Sequence, residues 1–224
     1  MARVFEEIPM IRCRVDDFPG TKPDEFWKHN RDNYLKFHEI LIQAFPTYVL
    51  GVIPRHTTDD DLKFLGALSE VEIALHGINH DERFMNEFRE HQTQADIEFE
   101  IRNAVMRIPF HSRKMPFSYI PPHNVLDFKT INALKNCNIS RIHTGPGTEL
   151  EMIDYAEKLG LDVIDSRGAL FYGRTDEMME RGCFPVIKQV SDISDVNLTL
   201  HWTWEMNIGL DSLRTFVGKL LENS

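Results

Sequence analysis

Short apolar runs alternate with helical stripes along the whole chain, and this alternation limits the fold more than any other feature. An apolar run of roughly four to eight residues bounded by turn formers reads as a buried strand. Such runs occupy 10–15, 47–53, 71–75, 117–120, 139–142, 161–164, 184–190 and 196–200. Between them lie stretches with apolar residues at helical spacing. Trp27, Tyr34, Phe37, Leu41 and Ala44 mark a helix over 24–45 that starts at Pro23–Asp24. Further helices are expected over 59–68, 93–106, 125–134 and 149–159, and a last one carries Leu210, Leu213, Phe216, Val217, Leu220 and Leu221. Residues 81–92 are strongly polar and read as a loop or an exposed helix. Strand and helix in alternation indicate a mostly parallel sheet or barrel. No repeat or linker breaks the 224 residues, so one domain over 1–224 is expected.

A parallel barrel builds its site from the C-terminal ends of its strands. The acid and imidazole side chains of this chain collect there. Asp16–Asp17 follow the first strand, and His76 and His80 follow the third. His123, His143, Asp165 and His201 close later ones. Two imidazoles four residues apart lie on one side of a helical turn and can hold one ion. A catalytic zinc takes three protein ligands and keeps a place for water, so a third ligand must come from elsewhere. One carboxylate of Asp16–Asp17 is the obvious donor. The other carboxylate would then take a proton from water, and a late histidine would give one to the leaving group.

Composition removes other classes. Net charge is −10, the wrong sign for nucleic acid or an anionic membrane surface. Cys13, Cys137 and Cys183 are far apart, odd in number and without a CxxC, so neither a disulfide framework nor a thiolate zinc site is expected. No apolar run nears the roughly 20 residues of a membrane span. The first residues contain no sustained apolar stretch, so a cytoplasmic protein is expected.

Taken in order, four segments resemble the motifs of the polysaccharide deacetylases, the NodB-homology carbohydrate esterases of family 4. They are Val15-Asp16-Asp17-Phe18, His76-Gly77-Ile78-Asn79-His80, Ile120-Pro121-Pro122-His123 and Leu198-Thr199-Leu200-His201. The resemblance implies a distorted (β/α) barrel of about seven strands. It implies one divalent metal ion, usually Zn2+, held by Asp17, His76 and His80. Asp16 becomes the general base and His201 the general acid. The reaction it implies is removal of an acetyl group from an N-acetylated, less often O-acetylated, sugar, and the expected cytoplasmic setting points to surface polysaccharide or lipopolysaccharide biosynthesis. The backbone N–H of His123 would help hold the oxyanion, because Pro122 has none. The third-motif arginine of the family aligns with Ile120, leaving Arg12, Arg14 and Arg141 as candidates to pair with the base.

Substrate contacts are expected from Tyr119, His123, Asn124 and Trp202. At a strand end, Trp202 and Trp204 would point to the same side, one of them lining the substrate cleft, and core packing is the expected role of at least one. Asp165 is a candidate to orient His201. The partner expected is an acetylated sugar or polysaccharide precursor, with no nucleic acid and no membrane span. Two rival readings keep the same residues: hydrolysis of a small amide or formamide, and a catalytically inactive carbohydrate-binding relative.

Overall fold

The structure is a computed structural model, and it describes residues 11–21, 31–80, 88, 93–166, 169–191 and 195–222. Met10, the helix start at Pro23–Asp24 with Trp27, and residues 81–92 apart from Phe88 lie outside this set. Seven parallel strands form one sheet: β1 (Ile11–Phe18), β2 (Tyr48–Val52), β3 (Val71–His76), β4 (Ser118–Ile120), β5 (Arg141–His143), β6 (Asp162–Ile164) and β7 (Val196–His201). Their order is β6-β5-β4-β3-β2-β1-β7. The sheet curls so that its two edge strands approach each other. Tyr172 forms a lone parallel bridge to Thr199, and Asn197 Nδ2 donates to Asp165 O at 3.1 Å. The result is the distorted seven-stranded barrel expected from the sequence.

The helices between strands are α1 (Arg31–Leu41), α2 (Asp59–Gly66), α3 (Gln94–Ser112), α4 (Phe128–Asn136) and α5 (Leu150–Lys158). After β6 come α6 (Thr175–Glu180) and α7 (Cys183–Ser191), and after β7 come α8 (Trp202–Ile208) and α9 (Leu210–Glu222). Local sequence fixes several starts. Thr58 with Asp61 and Thr93 with Asp96 form capping boxes on α2 and α3, each satisfying backbone N–H groups that a helix leaves open. Asp127 caps α4 through Thr130 N at 2.7 Å.

One expected strand is a helix. Residues 184–190 are rich in Val and Ile and resemble a buried strand, yet they lie within α7. Cys183 and Ile187 are buried four residues apart, which is helical spacing, and Pro185 stands in the first turn, where its missing N–H costs no bond.

The main core lies between the outer face of the sheet and the helices. Alternation divides β1: Cys13 and Val15 enter this core, while Arg12, Arg14 and Asp16 face the barrel interior. All three cysteines are free and buried. Trp202, 1% exposed, packs edge-on against Tyr34 and Phe37, each with ring centroids 5.4 Å away. Among the described residues, no helix is long and apolar enough to cross a membrane.

Candidate active site

Two adjacent residues on a regular strand point to opposite faces, so Asp16 and Asp17 could not both reach one site without an irregularity. β1 supplies it. Against β2, Val15 pairs with Leu50 but Phe18 with Val52, so β1 carries one extra residue there. Asp17 absorbs the bulge with φ 67°, and both carboxylates line one cleft of about 480 Å³ at the C-terminal mouth of the barrel. His76, His80, His123, Asn124, Tyr172, His201 and Trp204 line it too.

His76 ends β3, and His80 follows three residues of turn. The pair is not on a helix. Positive φ at Gly77 (61°) and His80 (47°) folds the chain back and leaves the two rings 4.7 Å apart. Asp17, His80, His123 and Asn124 are four of the six described non-glycine residues with positive φ, so backbone strain concentrates at this cleft. Gly51 on β2 makes room for His76, since a Cβ there would lie 3.2 Å from His76 Cβ.

Asp17 Oδ1 lies 2.9 Å from His76 Nε2 and 3.4 Å from His80 Nε2. The three ligand atoms all fall within 4.8 Å of one another, and all three residues are buried. A tetrahedral ion with bonds of about 2 Å keeps its ligands about 3.3 Å apart. His76 Nδ1 is 3.1 Å from the Ile120 carbonyl oxygen and can only donate to it. Neutral His76 therefore turns the lone pair of Nε2 toward the Asp17 carboxylate. Two acceptors facing one another need a proton or a cation between them, and the Ile120 carbonyl behind the ring fixes the tautomer that a metal ligand uses. The donor set therefore fits a divalent ion.

Without an ion, these groups share protons. Burial alone would raise Asp17, but the hydrogen bond with His76 and the neighbouring His201, His76 and His80 outweigh it and hold its carboxyl below the usual range. Burial would lower His76, yet Asp17 and Asp16 hold it above its ordinary value. His80 is pushed down to about 4, first by burial and then by His76. Burial also lowers His201, against the pull of Asp17 and Asp16.

The other half of the cleft is a hydrogen-bond circuit. Arg14 grips Asp16 with a bidentate fork, Nε to Oδ1 at 2.9 Å and Nη2 to Oδ2 at 2.7 Å. Both side chains are buried, 3% and 2% exposed. Arg14 Nη1 also donates to Thr144 O at 2.9 Å, and Nη2 to Asn124 Oδ1 at 3.4 Å. Asn124 Nδ2 donates to the Tyr172 hydroxyl at 3.1 Å, and that hydroxyl lies 3.0 Å from His201 Nε2. Register places Asp16 beside His201 on the neighbouring strand, with Asp16 Oδ2 and His201 Nε2 4.0 Å apart. Trp204 stacks on the His201 ring, centroids 3.8 Å apart and 15° from parallel. Gly145 admits Asn124, whose Oδ1 would lie 2.3 Å from a Cβ at that position.

Of the expected site residues, Asp16, Asp17, His76, His80, His123, Asn124 and His201 share this cleft. Tyr119 and Trp202 do not. Tyr119, 1% exposed, alternates with Ser118 and Ile120 and so faces the outer core. Trp202 begins α8 rather than ending a strand, and the helical turn sends it into the core while Trp204 reaches the cleft, 38% exposed. The Asp165 carboxylate accepts from Thr144 Oγ1 at 3.3 Å, and Tyr172 is the group that meets His201. Arg14, two residues before Asp16 on the same face of β1, is the candidate arginine that pairs with it, whereas Arg12 pairs with Asp195 and Arg141 with Asp162. The Arg-x-Asp alternation was the signal for it. Tyr172 had none, since it lies in a stretch without strand or helix periodicity.

No protein-family model matches the sequence, and no curated protein does. Solved structures do match it. A family 4 carbohydrate esterase from Streptomyces lividans in complex with acetate superposes with a TM-score of 0.57 at 12% identity, over 96% of this chain and 88% of that one. The T48 deacetylase with substrate superposes with a TM-score of 0.53 at 12% identity, over 96% and 85%. The fold is that of the family 4 carbohydrate esterases. A pseudoenzyme with this family 4 fold, from Bacillus anthracis, matches with a TM-score of 0.55 at 11% identity, over 97% of this chain and 62% of that one. The family 4 fold therefore occurs with and without activity, and function has to be argued from the side chains.

Proposed function

We propose that the protein is a metal-dependent hydrolase that removes the acetyl group from an N-acetylated sugar, in surface polysaccharide or lipopolysaccharide biosynthesis. The carrying observation is the cleft itself. An Asp17–His76–His80 donor set stands beside a buried carboxylate clamped by arginine, with a histidine on the next strand. Two imidazoles and one carboxylate suit Zn2+. A bound divalent ion would polarise the acetyl carbonyl and lower the pKa of a water molecule.

The chain's own residues then divide the proton work. Asp16, oriented by Arg14, takes a proton from the attacking water. The backbone N–H of His123 receives charge developing on the carbonyl oxygen. His201, protonated at Nε2, hands that proton to the departing amine nitrogen. Before that transfer the Tyr172 hydroxyl, 3.0 Å from His201 Nε2, holds the ring at the cleft, and it releases the Nε2 proton when the amine takes it. Trp204 offers an aromatic face to the sugar ring, and Asn124 offers hydrogen bonds at its edge. A cytoplasmic setting belongs to this reading, with a sugar nucleotide, lipid-linked sugar or polysaccharide precursor as substrate. Recovery of the protein in an exported fraction would overturn that setting.

The test is acetate release from N-acetylated sugars by zinc-reconstituted protein, with metal content measured alongside. The wild type should hold about one ion per chain and release acetate. Asp16→Asn should keep the ion and lose turnover, while His76→Ala should lose both. Release from simple amides but not from sugars would move the substrate to a small amide. Sugar binding without acetate release would make the protein a carbohydrate-binding relative.

A further inference from the structure

α3 buries Ile97, Ile101, Ala104 and Ile108 against the rest of the fold and turns Phe99, Met106 and Phe110 outward, 67%, 73% and 81% exposed. Three large apolar side chains in line on one helix make a surface patch that water disfavours. With Asn103, also exposed, they occupy 99, 103, 106 and 110. The steps of four, three and four residues are those of a coiled-coil seam.

We propose that this face is a self-association surface, on which a second copy of this chain docks its own α3 in antiparallel orientation. The sequence of the seam is complementary to its own reverse. In one antiparallel register, Phe99 meets the second copy's Phe110 and Asn103 meets its Met106. The same register brings Asp96, exposed in the first turn, to the second copy's Arg113, exposed just beyond the last turn. Parallel docking would instead set Asp96 against Asp96 and Arg113 against Arg113, which like-charge repulsion disfavours. The antiparallel pair is two-fold symmetric and closes on itself. Met115 and Phe117, 47% and 53% exposed, follow shortly after the helix end in the chain.

From Phe99 to Phe110 the seam spans about 16 Å of helix. That is small beside the roughly 1,600 Å² of a standard interface, so the dimer is expected to be concentration-dependent.

Sedimentation velocity over a concentration series tests this on the full chain. The wild type should pass from monomer to dimer as concentration rises. Met106→Glu, at an exposed position that should leave the fold and its circular dichroism unchanged, should stay monomeric throughout. A variant combining Phe99→Cys with Phe110→Cys should form a disulfide-linked dimer on oxidation, while Phe99→Cys alone should not, since the two copies of residue 99 lie about 16 Å apart in this register. The native cysteines are buried and do not compete. A wild type that is monomeric at every concentration, or a dimer indifferent to Met106→Glu, would overturn the proposal. Cross-linking by Phe99→Cys alone would overturn the antiparallel arrangement, and a different protein bound at this face would give it another occupant.

Discussion

The two halves of the cleft are built by different means. Asp17 and His80 are placed by the main chain, through a bulge and left-handed backbone at φ 67° and 47°. Asp16, Arg14, Asn124, Tyr172 and His201 are placed by one another, through side-chain hydrogen bonds between β1, β7 and the loops across the mouth. Main-chain placement survives the loss of a neighbour. A side-chain circuit passes each loss to its next member. Mutations in the first half should therefore act locally and completely, and mutations in the second should spread by degrees.

Asp17→Ala should have the largest effect. It removes the one oxygen that both imidazoles face, so metal content and acetate release should both fall to background, while His201 and the Arg14–Asp16 pair stay in place. Calorimetric titration with zinc and an acetate assay read the two losses. Residual tight zinc binding would show that His76 and His80 recruit a different third ligand.

Arg14→Met should come next, with the opposite pattern. It leaves Asp16 buried with no counter-charge, and breaking such a pair costs about 3–5 kcal/mol. Metal content should persist if the halves are independent, while turnover falls roughly 10²–10⁴-fold as Asp16, the proposed base, loses its orientation. Loss of the ion together with the activity would show that the fork also braces Asp17.

The same division decides what was legible in the sequence. Strand ends marked by Asp16–Asp17, His76, His80 and His201 disclosed the barrel and the residues that line its mouth, because strand position and residue type are local. The connection between those ends is a matter of side chains meeting across the mouth. Arg14 is one of three candidate arginines in the sequence, and its bidentate contact with Asp16 singles it out. Tyr172 comes from a stretch with no periodicity and reaches His201 because its backbone bridges to Thr199. Trp202 and Trp204 do not share a face, for a related reason: the chain turns helical directly after His201, so that Trp202 packs in the core and Trp204 reaches the cleft.

α8, which carries both tryptophans, is tied down by a buried carboxylate. Glu205 is 0% exposed and accepts from Thr175 N at 2.8 Å and Thr175 Oγ1 at 2.7 Å. Burial nevertheless outweighs those bonds and pushes its pKa up to about 7. In the unfolded chain Glu205 ionises from about pH 4.3 upward, whereas the folded protein keeps the proton until near 7. The folded state binds more protons across that window, so this group's contribution to stability falls as pH rises through it. Glu205→Gln should abolish that slope. Urea midpoints at about pH 5 and pH 8 should show the variant gaining on the wild type at the higher pH, by an upper limit of roughly 3 kcal/mol. An equal gap at both values would mean the carboxylate is already ionised in the fold.

Tyr172→Phe should have the smallest effect and is the most informative about the circuit. It removes the acceptor of Asn124 Nδ2 and the hydroxyl beside His201 Nε2, but leaves the packing of the ring edge against His201, with centroids 4.9 Å apart. A neutral hydrogen bond contributes about 1 kcal/mol, so kcat should fall about fivefold with KM and metal content unchanged. The phenol is pushed up to about 12, chiefly by burial, so it stays protonated and acts by orienting rather than by ionising. Nitrogen NMR of the His201 imidazole in the resting protein reads this directly, since loss of the Tyr172 hydroxyl should shift the Nε2 resonance whether or not the protein turns over sugar. A fall as deep as that of Asp16→Asn would instead mean that the leaving amine draws its proton through Tyr172, and the circuit would then be a path for protons as well as a brace.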